Sequence, residues 1–254
     1  MTTFSANLGF LFTEHDLPEA IRQAHLHGFA AVEFHWPYDV PSDEVKAALQ
    51  QTGLPALSLN TIRGDSMGLC AQADKISEAR ASIEQAFAYG TEIGANAVHL
   101  MAGFAHGDRA KDCFLENLAF ACDMAKTNKM TVLIEALNHH DAEGYFLRDT
   151  NHVAEIINQL GNPHCKMMFD CYHVVKSGGD ILHEFHKHFD MIGHIQFAGT
   201  PDRGAPDKAQ NRTAYAPIFA AMKQAGWHAP IGAEYRPDGP TDKSLNWLLS
   251  YIKA

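Results

Sequence analysis

Eight short apolar runs recur along the chain, and between them the apolar residues fall at spacings of three and four. The runs are FSANLGFLF from Phe4, AAVEFHW from Ala30, PALSLNT from Pro55, NAVHLMAG from Asn96, MTVLIEAL from Met130, CKMMFD from Cys165, MIGHIQFAG from Met191 and APIGAEY from Ala229. Each has the length and residue types of a buried strand. The intervening stretches have the period of amphipathic helices, as in the stripe Ile76, Ala79, Ile83, Phe87, Gly90 and Ile93. Boundary signals agree. Asp16 with Glu19 three residues on makes a capping box, and Ser42 precedes DEVKAAL. Gly28, Gly53, Gly94, Gly161 and Gly226 each close a helical stretch just before a new strand.

Eight strand–helix units of roughly 30 residues each predict an α/β fold, a (β/α)8 TIM barrel occupying residues 1–254 as one domain. A doubly wound open sheet is the alternative. It would be favoured by a glycine-rich phosphate loop after the first strand, and FSANLGFLFTEHD has none.

A barrel carries its active site at the C-terminal ends of its strands. Four runs end there on a residue that can bind a metal: Glu135 in TVLIEALN, Asp170 in KMMFDCYH, Gln196 in GHIQFAG and Glu234 in PIGAEYRP. Burying such groups without partners is costly, so four of them at one end of successive strands point to a shared site. Strand alternation fits. Glu135 shares parity with Leu133 and Leu137, Gln196 with His194 and Ala198, and Glu234 with Gly232 and Arg236. Taken singly, each has a plainer use. Asp170 could cap a turn, Gln196 could be a satisfied core amide, and Glu234 could pair with Arg236.

The net charge of −10 argues against a nucleic-acid backbone as ligand. The five cysteines show no CxxC pair, as expected of reduced thiols in a cytoplasmic protein. The N-terminal segment lacks the basic region of a signal peptide, and no stretch is long and apolar enough to span a membrane. Sixteen histidines are many, yet the HEFHKH segment with His183 and His186 has the character of a solvated helix face. The sequence leaves a homo-oligomer open.

Three carboxylates and an amide oxygen are hard ligands, suited to Mg²⁺ or Mn²⁺ better than to zinc. Such an ion could hold adjacent carbonyl and hydroxyl oxygens and stabilise an enediolate, while a glutamate on either side moves the proton. The class is aldose–ketose or keto-acid isomerisation. His173, just past Asp170, could bind a substrate oxygen or orient a ligand. Arg203 in GTPDRGAPD and Arg63 in NTIRGD could each grip a substrate carboxylate or form a loop ion pair. His35 and His99 end strands and are weaker candidates for the pocket lining. Phe10, Phe12 and Trp36 could supply apolar walls.

The segments FSANLGFLFTE, AVEFHWPYD, LIEALNHHDAEGYFL, FDCYH, GHIQFAGTPDRGAP and GAEYRP resemble, in order, the hydroxypyruvate isomerase family of the xylose isomerase-like barrel superfamily. The resemblance implies that Glu135 and Glu234 are proton donor and acceptor. It also implies that Glu135, Asp170, Gln196 and Glu234 hold a divalent metal. The glutamine is informative, because related ketose 3-epimerases have histidine there. One loop departs: NTIRGDSMGLCAQADK stands where members carry a segment similar to NLPAGDWAAGERG, so its Trp and Glu are missing. That loop is expected to cover the substrate, which puts substrate length in question.

The expected activity is isomerisation of a small hydroxy-keto acid, hydroxypyruvate to tartronate semialdehyde for three carbons. The alternatives are a 2-oxo-tetronate isomerase or a ketose 3-epimerase. An abasic-site endonuclease would need a histidine-rich multi-zinc site and a basic groove. A non-catalytic binding protein would have no use for the glutamate pair.

Overall fold

The computed structural model describes residues 2–208, 211 and 213–252. Eight parallel strands form in the predicted order: β1 (Phe4–Asn7), β2 (Ala31–Glu33), β3 (Ser58–Asn60), β4 (Ala97–His99), β5 (Thr131–Glu135), β6 (Cys165–Asp170), β7 (Ile192–Phe197) and β8 (Ile231–Ala233). Each pairs with its neighbours, and β8 pairs with β1. The remaining seam closes between β2 and the chain entering β3, where Val32 N donates to Pro55 O at 3.0 Å and Leu57 N to Val32 O at 2.8 Å. The result is a closed (β/α)8 barrel.

The helices are α1 (Leu17–Leu26), α2 (Ser42–Thr52), α3 (Ile76–Ile93), α4 (Asp108–Asn128), α5 (Thr150–Leu160), α6 (Cys171–Lys176), α7 (Ile181–His188), α8 (Tyr215–Gln224) and α9 (Asn246–Ile252). Asp16 caps α1 through Glu19 N at 2.9 Å, as its spacing predicts. Ser42 instead becomes the first residue of α2. Gly53, Gly94 and Gly161 stop their helices in the left-handed conformation that glycine adopts without strain. His183 and His186 are exposed on α7, as expected of its solvated face. Among the described residues no helix is long and apolar enough to cross a membrane.

The first strand is shorter than its apolar run. After Asn7 the chain turns, with Phe10 N and Leu11 N both donating to Asn7 O, and Phe12 adopts a φ of 58°. Phe12 therefore points away from the barrel mouth and packs on His27 and Phe29 in the core, correcting its assignment as a pocket wall.

Strand alternation divides the apolar residues between two layers. Val132, Ile134, Met167, Phe169, Ile195 and Phe197 face the helices in the main core, while Ala97, Leu133 and Met168 form a small separate cluster inside the barrel. The rest of the interior is polar: Ser5, Glu33, His194 and Gln196 are all buried there. Gly232 marks how tightly that interior is filled. A Cβ on it would run into Glu33 Oε1 and come within 2.9 Å of Gln196 Cγ. Gly232→Ala is therefore expected to cost about 1–3 kcal/mol through overpacking. Denaturant unfolding checks this, and an unchanged midpoint would contradict it.

Candidate active site

Strand ends β5, β6, β7 and β8 bring Glu135, Asp170, Gln196 and Glu234 to the C-terminal mouth, all four buried. A cavity of about 650 Å³ opens above them. Every site residue predicted from the sequence lines it except Asp170, which faces a smaller adjoining cavity of about 250 Å³ shared with His173. Phe10 and Trp36 supply apolar wall, as expected.

Asp170 serves two purposes at once. Oδ1 caps α6 by accepting from Tyr172 N at 2.8 Å, and Oδ2 accepts from Arg203 Nη2 at 3.0 Å. Because α6 starts directly after β6, His173 falls on its first turn and its ring returns to the site. His173 Nδ1 accepts from Asn138 N at 3.0 Å, and Arg203 Nη1, 2.9 Å away, faces its Nε2. That nitrogen lies 3.8 Å from Glu135 Oε1 and 3.7 Å from Asp170 Oδ2. Ligand atoms of Glu135, Asp170 and His173 all lie within 4.8 Å of one another.

Glu234 pairs with Arg203 and His35 rather than with Arg236. Its Oε2 accepts from Arg203 Nη2 at 2.9 Å, and Oε1 lies 2.8 Å from His35 Nε2. The Arg203 guanidinium thus bridges Asp170 and Glu234, and packs over the rings of Tyr172 at 5.0 Å and Phe10 at 5.5 Å. Its backbone has a φ of 57°. Arg63 is exposed on the cavity rim and makes no ion pair among the described residues. His99 hydrogen-bonds Asn60 Oδ1 through Nδ1 at 3.2 Å and places Nε2 3.7 Å from Glu135 Oε2.

The electrostatics separate the two glutamates. Burial pushes the Glu135 carboxyl well above its ordinary value, and the negative charges of Glu234 and Asp170 add to the effect. Burial likewise pushes Asp170 up to about 7, against the pull of Arg203. At Glu234 burial acts in the same direction but is overcome by Arg203 and His35, which hold it down at about 2. His99 is pushed down to about 4, chiefly by burial, and is neutral. The site therefore sets a glutamate whose ionisation is opposed beside one whose ionisation is favoured, the contrast that acid–base chemistry uses.

Two buried oxygens facing this site, Glu135 Oε1 and Gln196 Oε1, have no hydrogen-bond partner. Unsatisfied acceptors surrounded by carboxylates fit a hard divalent cation, and the donor set of oxygens suits magnesium or manganese.

Several contributors were not singled out from the sequence. Glu33 at the end of β2 is wholly buried. Its Oε1 accepts from Ser5 Oγ at 2.6 Å and lies 3.0 Å from His194 Nε2. Burial opposes its ionisation, but His194 and Ser5 outweigh burial and hold its pKa below the usual range. The signal was present in AAVEFHW, a carboxylate within an apolar strand, as at Glu135, Asp170 and Glu234. Asn138, which orients His173, and Arg236, stacked over Phe10 at 5.0 Å on the cavity rim, carry no comparable signal.

The xylose isomerase-like TIM barrel family matches residues 21–251. The chain is similar to the 2-oxo-tetronate isomerase of Cupriavidus necator, with 36% identity across 99% of this chain and 99% of the relative. It is also similar to the hydroxypyruvate isomerase of Escherichia coli, with 29% identity across 99% of this chain and 100% of the relative. Among solved structures, that of an AP endonuclease, family 2, from Brucella melitensis superposes with a TM-score of 0.93 at 30% identity, covering 99% of both chains. With the motifs in order, the barrel closed and these similarities spanning nearly every residue, the chain belongs to the xylose isomerase-like TIM barrel family, in the group of the hydroxypyruvate and 2-oxo-tetronate isomerases.

Proposed function

We propose that this protein isomerises a small hydroxy-keto acid by proton transfer between Glu135 and Glu234. The observation that carries the proposal is the placement of these two buried glutamates on one cavity, with surroundings that displace their pKa values in opposite directions. The names of the relatives agree with it: isomerases of three- and four-carbon acids. In the three-carbon case one glutamate takes a proton from the hydroxymethyl carbon of hydroxypyruvate. The electron pair left behind forms the carbon–carbon double bond of an enediolate, and the hydroxyl proton passes to the neighbouring oxygen. The second glutamate returns a proton to the former carbonyl carbon, giving tartronate semialdehyde with no net gain or loss of atoms.

Glu135, Asp170, Gln196 and Glu234 would hold Mg²⁺ or Mn²⁺. Bound there, the ion would polarise the substrate's carbonyl and hydroxyl oxygens and stabilise negative charge on them. Arg203 is the substrate-carboxylate receptor in this scheme. Its guanidinium already sits among carboxylates at 2.9 and 3.0 Å, and a carboxylate-bearing substrate offers the same planar partner. His173, His35 and His99 line the cavity that would hold the reacting carbons, and Arg63 stands on its rim, where it would meet the far end of a longer acid. The five cysteines are all buried and unpaired, which supports a reducing, cytoplasmic location.

The similarity to the Brucella melitensis protein, named as an AP endonuclease, raises nuclease activity as a second reading. The net charge of −10 and the oxygen-dominated donor set favour the isomerase. A single panel separates them: hydroxypyruvate, 2-oxo-tetronate, a ketohexose and an abasic duplex, each incubated with protein and Mg²⁺ or Mn²⁺. The expected outcome is an isomer from at least one keto acid and no strand cleavage. Silence with both keto acids would overturn the proposal.

A further inference from the structure

Below the cavity lies a buried carboxylate that the proton transfer does not use. Glu33 is 0% exposed, and donors converge on it. Ser5 Oγ donates to Oε1 at 2.6 Å, His194 Nε2 faces Oε1 at 3.0 Å, and Gln196 Nε2 donates to Oε2 at 2.7 Å. The barrel wall leaves room for this arrangement, since a side chain at position 232 would collide with Oε1.

The consequence concerns the two ends of the Gln196 amide. They are nearly identical in shape and opposite in hydrogen-bonding sense. A carboxylate accepts only, so it can face the amide's NH₂ end and not its oxygen. The oxygen must then point the other way, and there Gln196 Oε1 is buried without a partner. We infer that Glu33 is a positioning residue that fixes the Gln196 amide with its oxygen toward the cavity, so that position 196 presents an acceptor to a divalent cation. The inference rests on the role given to Gln196 under the proposed function. It also explains why an ionisable group persists on β2 at the barrel axis, where an apolar residue would avoid the cost of burial. With Gln in place of Glu33, the 196 amide would meet a group able to donate as well as accept. Its orientation would no longer be dictated.

A double-mutant cycle on Mn²⁺ binding tests this without reference to turnover. Mn²⁺ dissociation constants are measured by calorimetry for the wild type, Glu33→Gln, Gln196→Ala and the double variant. Glu33→Gln is expected to weaken Mn²⁺ by about 10–100-fold, the usual range for a group that orients a metal ligand. In the Gln196→Ala background the same change is expected to have no further effect, because the amide it acts through is gone. Equal weakening in both backgrounds would overturn the inference, since it would show a role in folding or general charge. If Gln196→Ala weakens Mn²⁺ and Glu33→Gln does not, the inference fails while the site proposal stands. If Gln196→Ala leaves Mn²⁺ binding unchanged, the metal role of Gln196 fails, and the inference with it. Should Glu33→Gln not fold, the native protein decides. The Gln196 side-chain NH₂ resonances, assigned by their loss in Gln196→Ala, are expected to include one proton shifted downfield and slow to exchange. An ordinary solvent-exposed amide pair would overturn the inference.

Discussion

Replacing either Glu135 or Glu234 by glutamine is expected to lower kcat by about 10²–10⁴-fold, while the two variants move stability in opposite directions. Both changes keep the shape of the side chain and remove its ability to carry a proton. The stability contrast follows from the surroundings. In the metal-free protein the folded-state pKa of Glu135 lies above its unfolded value, chiefly through burial and then through Glu234 and Asp170. The folded protein therefore holds this proton more tightly, and stability is lost as pH rises from the unfolded value through the folded one. Glutamine in place of Glu135 removes a carboxyl whose ionisation burial opposes, so Glu135→Gln should melt at or above the wild-type temperature. Glu234 has the opposite sign: Arg203 and His35 overcome burial and hold it at about 2. Its stabilisation is present above the unfolded pKa and is lost as pH falls toward 2. Glu234→Gln removes one of the two carboxylates that pair with Arg203, and should destabilise by up to about 3 kcal/mol. Steady-state kinetics and thermal melts in chelator measure both effects. Full turnover in either variant would remove that glutamate from the chemistry.

Arg203→Met is expected to have the second largest effect, and one that depends on added metal. The guanidinium is the cation linking Asp170 and Glu234, with Glu135 nearby. Without it, buried like charges face each other, and the chelator-treated variant should lose about 3–5 kcal/mol of stability. A divalent ion that binds only the folded state restores stability by mass action. Mg²⁺ or Mn²⁺ should therefore raise the melting temperature of Arg203→Met more than that of the wild type. The KM for keto acid should also rise, because the fork that receives the substrate carboxylate is gone. Equal metal-induced shifts in the two proteins would show that Arg203 does not share its carboxylates with a cation.

The barrel was legible because its signal is repeated. Each of the eight strands is an apolar run followed by a helical stripe, and a glycine or a cap often marks the joint. Parity along β5 and β7 placed Glu135 and Gln196 inside correctly, because Val132, Ile134, Ile195 and Phe197 need the opposite, helix-facing side. Legibility failed where tertiary contacts override local pattern. The apolar run from Phe4 to Phe12 looks continuous, yet the chain leaves the sheet at Asn7 and buries Phe12 against His27 and Phe29, in the connection between α1 and β2. Asp170 joined both of its candidate roles, helix cap and site carboxylate, since its two oxygens serve different partners. The ion pair of Glu234 could not be assigned from spacing. Arg236 is two residues away on the chain, but the loop carrying Arg203 folds over the barrel mouth and reaches it first. Glu33 was visible as a carboxylate in a strand, and only its depth on the barrel axis separates it from a surface residue.

In the proposed reaction Glu135 and Glu234 carry out a proton-transfer isomerisation of a hydroxy-keto acid. The most direct test is to run the reaction in D₂O with Mg²⁺ and follow hydroxypyruvate and 2-oxo-tetronate by NMR. The expected result is an isomer with deuterium on the former carbonyl carbon, and no isomer or label with the Glu135→Gln/Glu234→Gln protein. An isomer formed without solvent deuterium, or formed equally by the double variant, would contradict it.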